Sequence, residues 1–546
     1  MSTIELQVEG MTCEHCAVSV RKALLAVEGV KEARVSLGMG QAVAETEAGV
    51  DGARLAAAVA EAGYRARVRH DGRRRHVLIV GGGSAAFAAA IRSAELGARV
   101  TIVERGTIGG TCVNRGCVPS KTLIRAAEIH HRRTHHPFAG LPKGDGRPEA
   151  RLLQAEKVEL VERLRRSKYR DVLAAYPSIE YVEGEARFRG PDAVEVRRGE
   201  GERMDLHADR IIIATGASPW VPPIPGIEDV SYWTSTEALQ SEQVPARLLV
   251  VGGGSVGAEL GQMFARLGSR VALIEALPTL LPSEDAELGE ALAGYFVEEG
   301  IEVYTGTRVT SVSHESGEYR VALMADGDSR TLVGDRLLMA TGRRPESASL
   351  NLEAAGVEVD RNGFISVDAK LRTNQPHIYA AGDCTPLPQF VYVAARAGTL
   401  AAQNALAGEG NGAEEELDLS AMPSVTFTDP QVASVGLTEA GARETGEKAV
   451  SRVLLMEQVP RALANRDTRG LIKIVAREDD GRVLGVHLLS PAASEVIQTA
   501  VFAVKLGLGT ADLAAALFPY LTEVEGLKLA AQTFTREVEL LSCCAG

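Results

Sequence analysis

The feature that most constrains this chain is a repeat. Residues 76–104 read HVLIVGGGSAAFAAAIRSAELGARVTIVE, and residues 247–275 read RLLVVGGGSVGAELGQMFARLGSRVALIE. An offset of 171 residues maps Gly81 onto Gly252, Gly83 onto Gly254 and Glu104 onto Glu275. Copies so far apart are two domains of one type rather than a solenoid. Each copy is an apolar strand, a glycine-rich turn, a helix and a second strand ending in an acid. The first glycine allows the tight turn and the second lets the backbone approach a pyrophosphate. The helix N-terminus beyond offers free N–H groups and a favourable dipole. The first copy reads G-x-G-x-x-A through Gly81, Gly83 and Ala86, and the second G-x-G-x-x-G through Gly252, Gly254 and Gly257. Glu104 and Glu275 stand where an acid accepts hydrogen bonds from a ribose. A chain with two such sites can hold two dinucleotides and pass hydride between them.

A length of 546 residues exceeds what one hydrophobic core supports. With 59 Lys+Arg against 72 Asp+Glu, the net charge of −13 argues against binding a phosphate backbone. No apolar run approaches the ~18–20 residues needed to span a bilayer, and no signal-peptide pattern opens the chain. The expected location is cytoplasmic. Thiols there stay reduced, so cysteine pairs point to metal or redox work. Six of the seven cysteines fall into three close pairs: Cys13/Cys16, Cys112/Cys117 and Cys543/Cys544. Cys384 stands alone and is expected to be buried and inert.

Residues 1–69 alternate and punctuate as βαββαβ, a ferredoxin-like order, and residues 70–75 form a polar linker. Cys13 and Cys16 lie in a loop opening a helix, where the dipole favours thiolate and a soft cation can bind. Cys112 and Cys117, five apart at another helix start, can form a disulfide or hold a soft cation, with Lys121 favouring thiolate. Vicinal Cys543 and Cys544 would make a strained disulfide but a good soft-metal pair. From Met422 onward the pattern is α+β with no nucleotide signature. The histidines at 130, 131, 135 and 136 read as a surface helix end without a role.

The run Gly109-Gly110-Thr111-Cys112-Val113-Asn114-Arg115-Gly116-Cys117-Val118-Pro119-Ser120-Lys121, with the two Rossmann-like copies and a C-terminal domain, resembles the pyridine nucleotide–disulfide oxidoreductase family across residues 76–540. The resemblance implies an α/β chain. FAD would lie on 76–220 and 346–421, NAD(P)H on 221–345, and a homodimer would form through 422–546. It implies that Ala86, Gly106, Gly110, Thr111, Lys121, Ala186 and Val391 line the flavin, and that Asp383 of Ala380-Ala381-Gly382-Asp383 holds its ribityl chain. It further implies a Glu259–Lys121 ion pair, and places Cys117 nearer the flavin. Gly-Met-Thr-Cys-Glu-His-Cys resembles the loop of heavy-metal-associated domains.

Members that reduce dithiols carry a histidine where this chain has Tyr520, and an un-ionised phenol is a poor proton shuttle at neutral pH. Tyr520, the terminal Cys-Cys and the fused metal loop resemble the members that reduce mercuric ion. Tyr169 matches their second active-site tyrosine. The implied route takes Hg(II) from its thiol complexes to Cys13/Cys16. It then passes to Cys543/Cys544, reaching the other subunit's active site, and on to Cys112/Cys117 for reduction. Those members are expected to prefer NADPH, but Glu275 would repel a 2′-phosphate, so NADH is expected to serve at least as well. The rival readings are a lipoamide-type dehydrogenase with an accessory metal domain, and a metal-delivery module without reductase activity.

Overall fold

Alternation of apolar and polar side chains organises residues 2–71. Strand β1 (Ser2–Glu9) turns Ile4, Leu6 and Val8 inward, as the period of two requires. Helix α1 (Glu14–Leu25) buries Ala17, Val20 and Leu24 on one stripe. Strands β2 (Val30–Ser36) and β3 (Gln41–Thr46), helix α2 (Gly52–Glu61) and strand β4 (Arg65–Asp71) complete an antiparallel sheet of order β2-β3-β1-β4. This is the expected βαββαβ order. The structure is a computed structural model, and it describes residues 2–47, 50–71, 75–144, 146–325, 327–408 and 411–538. Cys543 and Cys544 lie outside the described residues.

The chain divides into two units. The first comprises Met1–Gly110, Ser167–Gly216 and Pro345–Leu417. Beyond β4 it contains a five-stranded parallel sheet. Strands β5 (His76–Val80) and β6 (Arg99–Glu104) lie between Ile179–Glu183 on one side and Arg210–Ile213 and Ile378–Ala380 on the other. Every residue of β5 is buried, which suits a parallel strand covered on both faces. Helix α3 (Ser84–Glu95) packs against the helix Val391–Ala405. The approach is so close that a Cβ on Gly398 would lie 2.1 Å from the Ala85 carbonyl oxygen.

The second unit comprises Thr111–Arg166, Ala217–Arg344 and Asp418–Gly546. Residues 111–166 cluster here, although the sequence assigns them to the first flavin-binding segment. The second repeat forms a parallel sheet in the order Glu302–Tyr304, Arg270–Ile274, Arg247–Val251, Arg336–Met339. The C-terminal region is a five-stranded antiparallel sheet, whose strands Leu471–Arg477 and Val483–Ser490 carry the helices Ala493–Leu506, Thr510–Ala515 and Glu525–Gln532. No helix among the described residues is long and apolar enough to cross a membrane.

Gly398→Ala should overpack the α3 contact. Overpacking costs about 1–3 kcal/mol, so a melting temperature lowered by several degrees is expected. An unchanged melt would show that the two helices part without cost.

Candidate functional site

The cysteine pair is built by two short-range features. Cys112 sits in helix α4 (Gly110–Arg115), and Cys117 is the first residue of helix α5 (Cys117–His135). Both are free thiols and partly buried. Their acidities are split. Cys117 is pulled down to about 7, first by the hydrogen bond from Cys112 and then by the Lys121 charge. Cys112 is pushed up because it carries the shared proton and is half-buried. The pair therefore holds one proton and one negative charge near neutral pH. Lys121, one turn along α5, forms the expected ion pair with Glu259, Nζ to Oε2 2.7 Å. Glu259 is buried on the helix Ser255–Arg266.

In the first unit, Gly81 has φ +120°, and a Cβ there would lie 2.2 Å from the Ala214 carbonyl oxygen. Gly110 has φ +62°, and a Cβ would lie 2.6 Å from Gly83 Cα. These glycines let backbone meet backbone beside a cleft lined by Gly81, Glu104, Ala186, Thr215 and Glu346 among others. Glu104 accepts from the Gly106 N–H at 2.6 Å. The Thr215 hydroxyl is buried and meets no nitrogen or oxygen partner among the described residues. A cleft with bare backbone, an acid at the end of its second strand and a buried hydroxyl fits the dinucleotide half of FAD.

The other expected flavin residues fall variously. Asp383 lies, partly buried, in the turn after the strand Ile378–Ala380. Val391 opens the helix Val391–Ala405 and is 38% exposed. Thr111 is partly buried beside Gly116, whose added Cβ would meet its carbonyl oxygen at 3.0 Å. Ala86 has no exposed surface, so its contribution is the close packing of α3 rather than a face offered to a ligand.

The second repeat reproduces the turn. Gly252 has φ +109° and would meet the Ala340 carbonyl oxygen at 2.3 Å, while a Cβ on Gly257 would lie 1.8 Å from the Gly252 oxygen. Gly254 caps the following helix. Glu275 is only 8% exposed. Its carboxylate accepts from the N–H groups of Gly253 (2.6 Å) and Leu277 (2.8 Å). Its charge is thus fixed at the rim of the turn, with Ala276, Leu277 and Pro278 after it.

In the N-terminal sheet the Sγ atoms of Cys13 and Cys16 are 3.5 Å apart. The Cys16 thiol is lowered to about 6, first by a backbone hydrogen bond at Thr12 and then by the Tyr64 hydroxyl. Tyr64 was not foreseen; nothing local in the sequence ties it to a cysteine 48 positions earlier. Tyr169 lies in a π-helical turn (Arg166–Arg170), with its ring edge-on to Phe87 at 4.6 Å between centroids. Tyr520 is 63% exposed. Cys384 is fully buried as expected, donates to the carbonyls of Ile213 and Ala381, and is pushed up to about 11 by burial. The histidine cluster departs from expectation, since His130, His131 and His136 are partly buried and only His135 of the four is exposed. His131 is partly buried, stacks on His135 at 4.3 Å, and is lowered to about 4 by burial and by Arg266.

Residues 75–398 match the pyridine nucleotide-disulphide oxidoreductase family, 422–531 its dimerisation domain, and 5–65 the heavy-metal-associated domain. A mercuric reductase of Acidithiobacillus ferrooxidans is 49% identical, with 99% of each chain covered. One of Shigella flexneri is 47% identical with both chains covered in full. Among solved structures, the Cu(II) complex of the HOCl-induced flavoprotein disulfide reductase RclA from Escherichia coli has a TM-score of 0.75 at 31% identity, covering 85% of this chain and 100% of that one. LpdA from Mycobacterium tuberculosis has a TM-score of 0.74 at 28% identity, with the same coverage.

The split acidities predict selective chemistry. Thiolate at Cys117 increases as pH rises through about 7, so alkylation by iodoacetamide should take Cys117 before Cys112, with a midpoint there. Lys121→Met should move the midpoint upward. Peptide mass spectrometry reads both, and prior labelling of Cys112 would contradict the assignment.

Proposed function

The chain belongs to the pyridine nucleotide–disulphide oxidoreductase family, and from that premise we propose that it reduces thiol-bound Hg(II) to Hg(0) at the expense of NAD(P)H. Its full-length similarity to mercuric reductases supports the substrate. The one structural observation that carries the chemistry is the Cys112–Cys117 pair, which offers a soft thiolate and a second sulfur able to follow. FAD would be held by Gly81, Gly83, Glu104, Gly106, Ala186 and Asp383 and would supply the two-electron transfer between the nicotinamide and the mercuric ion.

The protein's own groups then do ligand exchange. Cys16, the more readily ionised thiol of its pair, enters the coordination of a mercuric dithiolate and displaces one thiolate. Cys13, 3.5 Å away, loses its proton and displaces the other. Cys543 and Cys544 of the partner subunit carry the ion onward, consistent with the dimerisation domain at 422–531. Cys117 enters next as thiolate, and Cys112 gives its proton to the departing thiolate as it becomes the second ligand. Tyr169 and Tyr520 steer this complex through their hydroxyls. On reduction two thiolates are freed, one of which is reprotonated as Cys112, and the neutral atom leaves because it is no longer a Lewis acid. Overall, Hg(SR)2, NAD(P)H and one proton give Hg(0), NAD(P)+ and two thiols. Pairwise exchange keeps the ion coordinated by sulfur throughout.

For the nicotinamide donor, the fixed charge of Glu275 favours NADH. A 2′-phosphate would face a carboxylate anchored by Gly253 and Leu277, and like charges brought together in this way cost several kcal/mol.

The decisive assay is NADH oxidation on adding a Hg(II)–thiol complex, with the metal vapour collected. Cys112→Ala should lower that turnover by about a hundredfold or more. No Hg-dependent oxidation by the wild type would refute the function. Dihydrolipoamide, whose oxidation needs an imidazole where Tyr520 stands, should not be oxidised. In the same assay kcat/KM for NADH should at least equal that for NADPH. A tenfold or greater preference for NADPH would remove the role given to Glu275.

A further inference from the structure

Lys121 is held by two partners far away in sequence. One is Glu259. The other is Phe427, whose ring centroid lies 4.6 Å from Lys121 Nζ. The same Phe427 donates its backbone N–H to the second oxygen of Glu259 at 2.8 Å. One residue thus touches both members of the ion pair, with its backbone on the acid and its ring against the base. The segment bearing Phe427 is itself pinned along one helix face. Ser255 Oγ lies 2.7 Å from Thr426 Oγ1. Gln262 both donates to the Asp429 carbonyl and accepts its N–H, each at 2.8 Å. Arg266 donates to Asp429 Oδ2 at 2.8 Å. Glu259, Gln262 and Arg266 recur at i, i+3 and i+7, so they share that face.

We propose that Phe427 is a positioning residue for Lys121, fixing through ring and backbone the direction in which the ammonium points beside Cys117. This deepens the reading of the preceding subsection, on which it rests. A single carboxylate leaves a lysine free to swing about the ion pair, and Lys121 is 35% exposed along its side chain. The aromatic face removes that freedom, since a cation prefers the ring's negative face. The carboxylate cannot follow a wandering ammonium either, because Phe427 holds its other oxygen. The four side chains from the helix Ser255–Arg266 keep this clamp in register.

The test compares Phe427→Leu, which keeps the N–H and an apolar side chain, with Phe427→Tyr, which keeps the ring. The holoenzyme is acylated briefly with an N-hydroxysuccinimide ester and its lysines quantified by peptide mass spectrometry. Lys121 should label about three- to tenfold faster in Phe427→Leu, the size of a lost cation–π contact, and as wild type in Phe427→Tyr. Lys473, 1% exposed, reports general loosening and should stay unlabelled. In turnover, Phe427→Leu should lower kcat and leave the KM for NADH unchanged. Equal Lys121 labelling in Phe427→Leu and wild type overturns the proposal, as does a rise shared by Phe427→Tyr or by Lys473. Should the leucine variant not fold, Phe427→Met carries the same comparison. The labelling arm needs no mercury turnover, so its failure is distinct from failure of the mercuric reading.

Discussion

Backbone approaching backbone, with no room for a side chain, is the constraint on which both nucleotide-binding halves depend. Gly81 against Ala214 and Gly252 against Ala340 are the same contact made twice, at 2.2 and 2.3 Å for an added Cβ. Each brings the end of one strand onto the Ala-Thr-Gly segment that closes the sheet. A methyl group at either would force the strand-to-helix turn open. What the turn exposes is N–H and helix dipole, which is what a pyrophosphate requires.

The second theme is the uneven sharing of protons between paired sulfurs. Two identical thiols cannot both be thiolates at close range without repulsion, so one keeps the proton and the other the charge. Cys117 and Cys112 divide in this way, with the hydrogen bond between them first and the Lys121 charge second in leaving the negative charge on Cys117. At the N-terminal loop the environment of Thr12 and Tyr64 makes Cys16 the acidic member. A thiophilic ion can then be met first by a nucleophile that is ready and second by one that must be deprotonated, which orders the exchange.

Much of this was legible in the sequence because it is local or repeated. The βαββαβ order of residues 2–71 follows from alternation and helical spacing, and the α+β pattern expected from Met422 onward is the one observed. The repeat exposed both glycine turns. What stayed hidden was non-local. Phe427 is separated from Glu259 by 168 positions, and Tyr64 carries no mark that it will face Cys16. Ala86, which the resemblance placed along the flavin, has no exposed surface. His131 looked exposed because its neighbours are polar, but its flank of α5 faces Arg266 and Glu299. Glu275 was placed correctly at the end of its strand, but its anchoring by two backbone N–H groups depends on the turn closing around it.

The first unit's parallel sheet draws its strands from three separated stretches, and the strand Ile378–Ala380 is the last to be translated. The antiparallel sheet of residues 2–71 is contiguous and can fold as soon as it clears the ribosome. Strand Arg210–Ile213, by contrast, waits with an open edge until its neighbour emerges. At about 5–20 residues per second that wait is roughly ten to thirty seconds. During synthesis the loop bearing Cys13 and Cys16 therefore takes shape well before the cleft of the first unit is complete, so the two functions a chain of this kind would combine mature at different times.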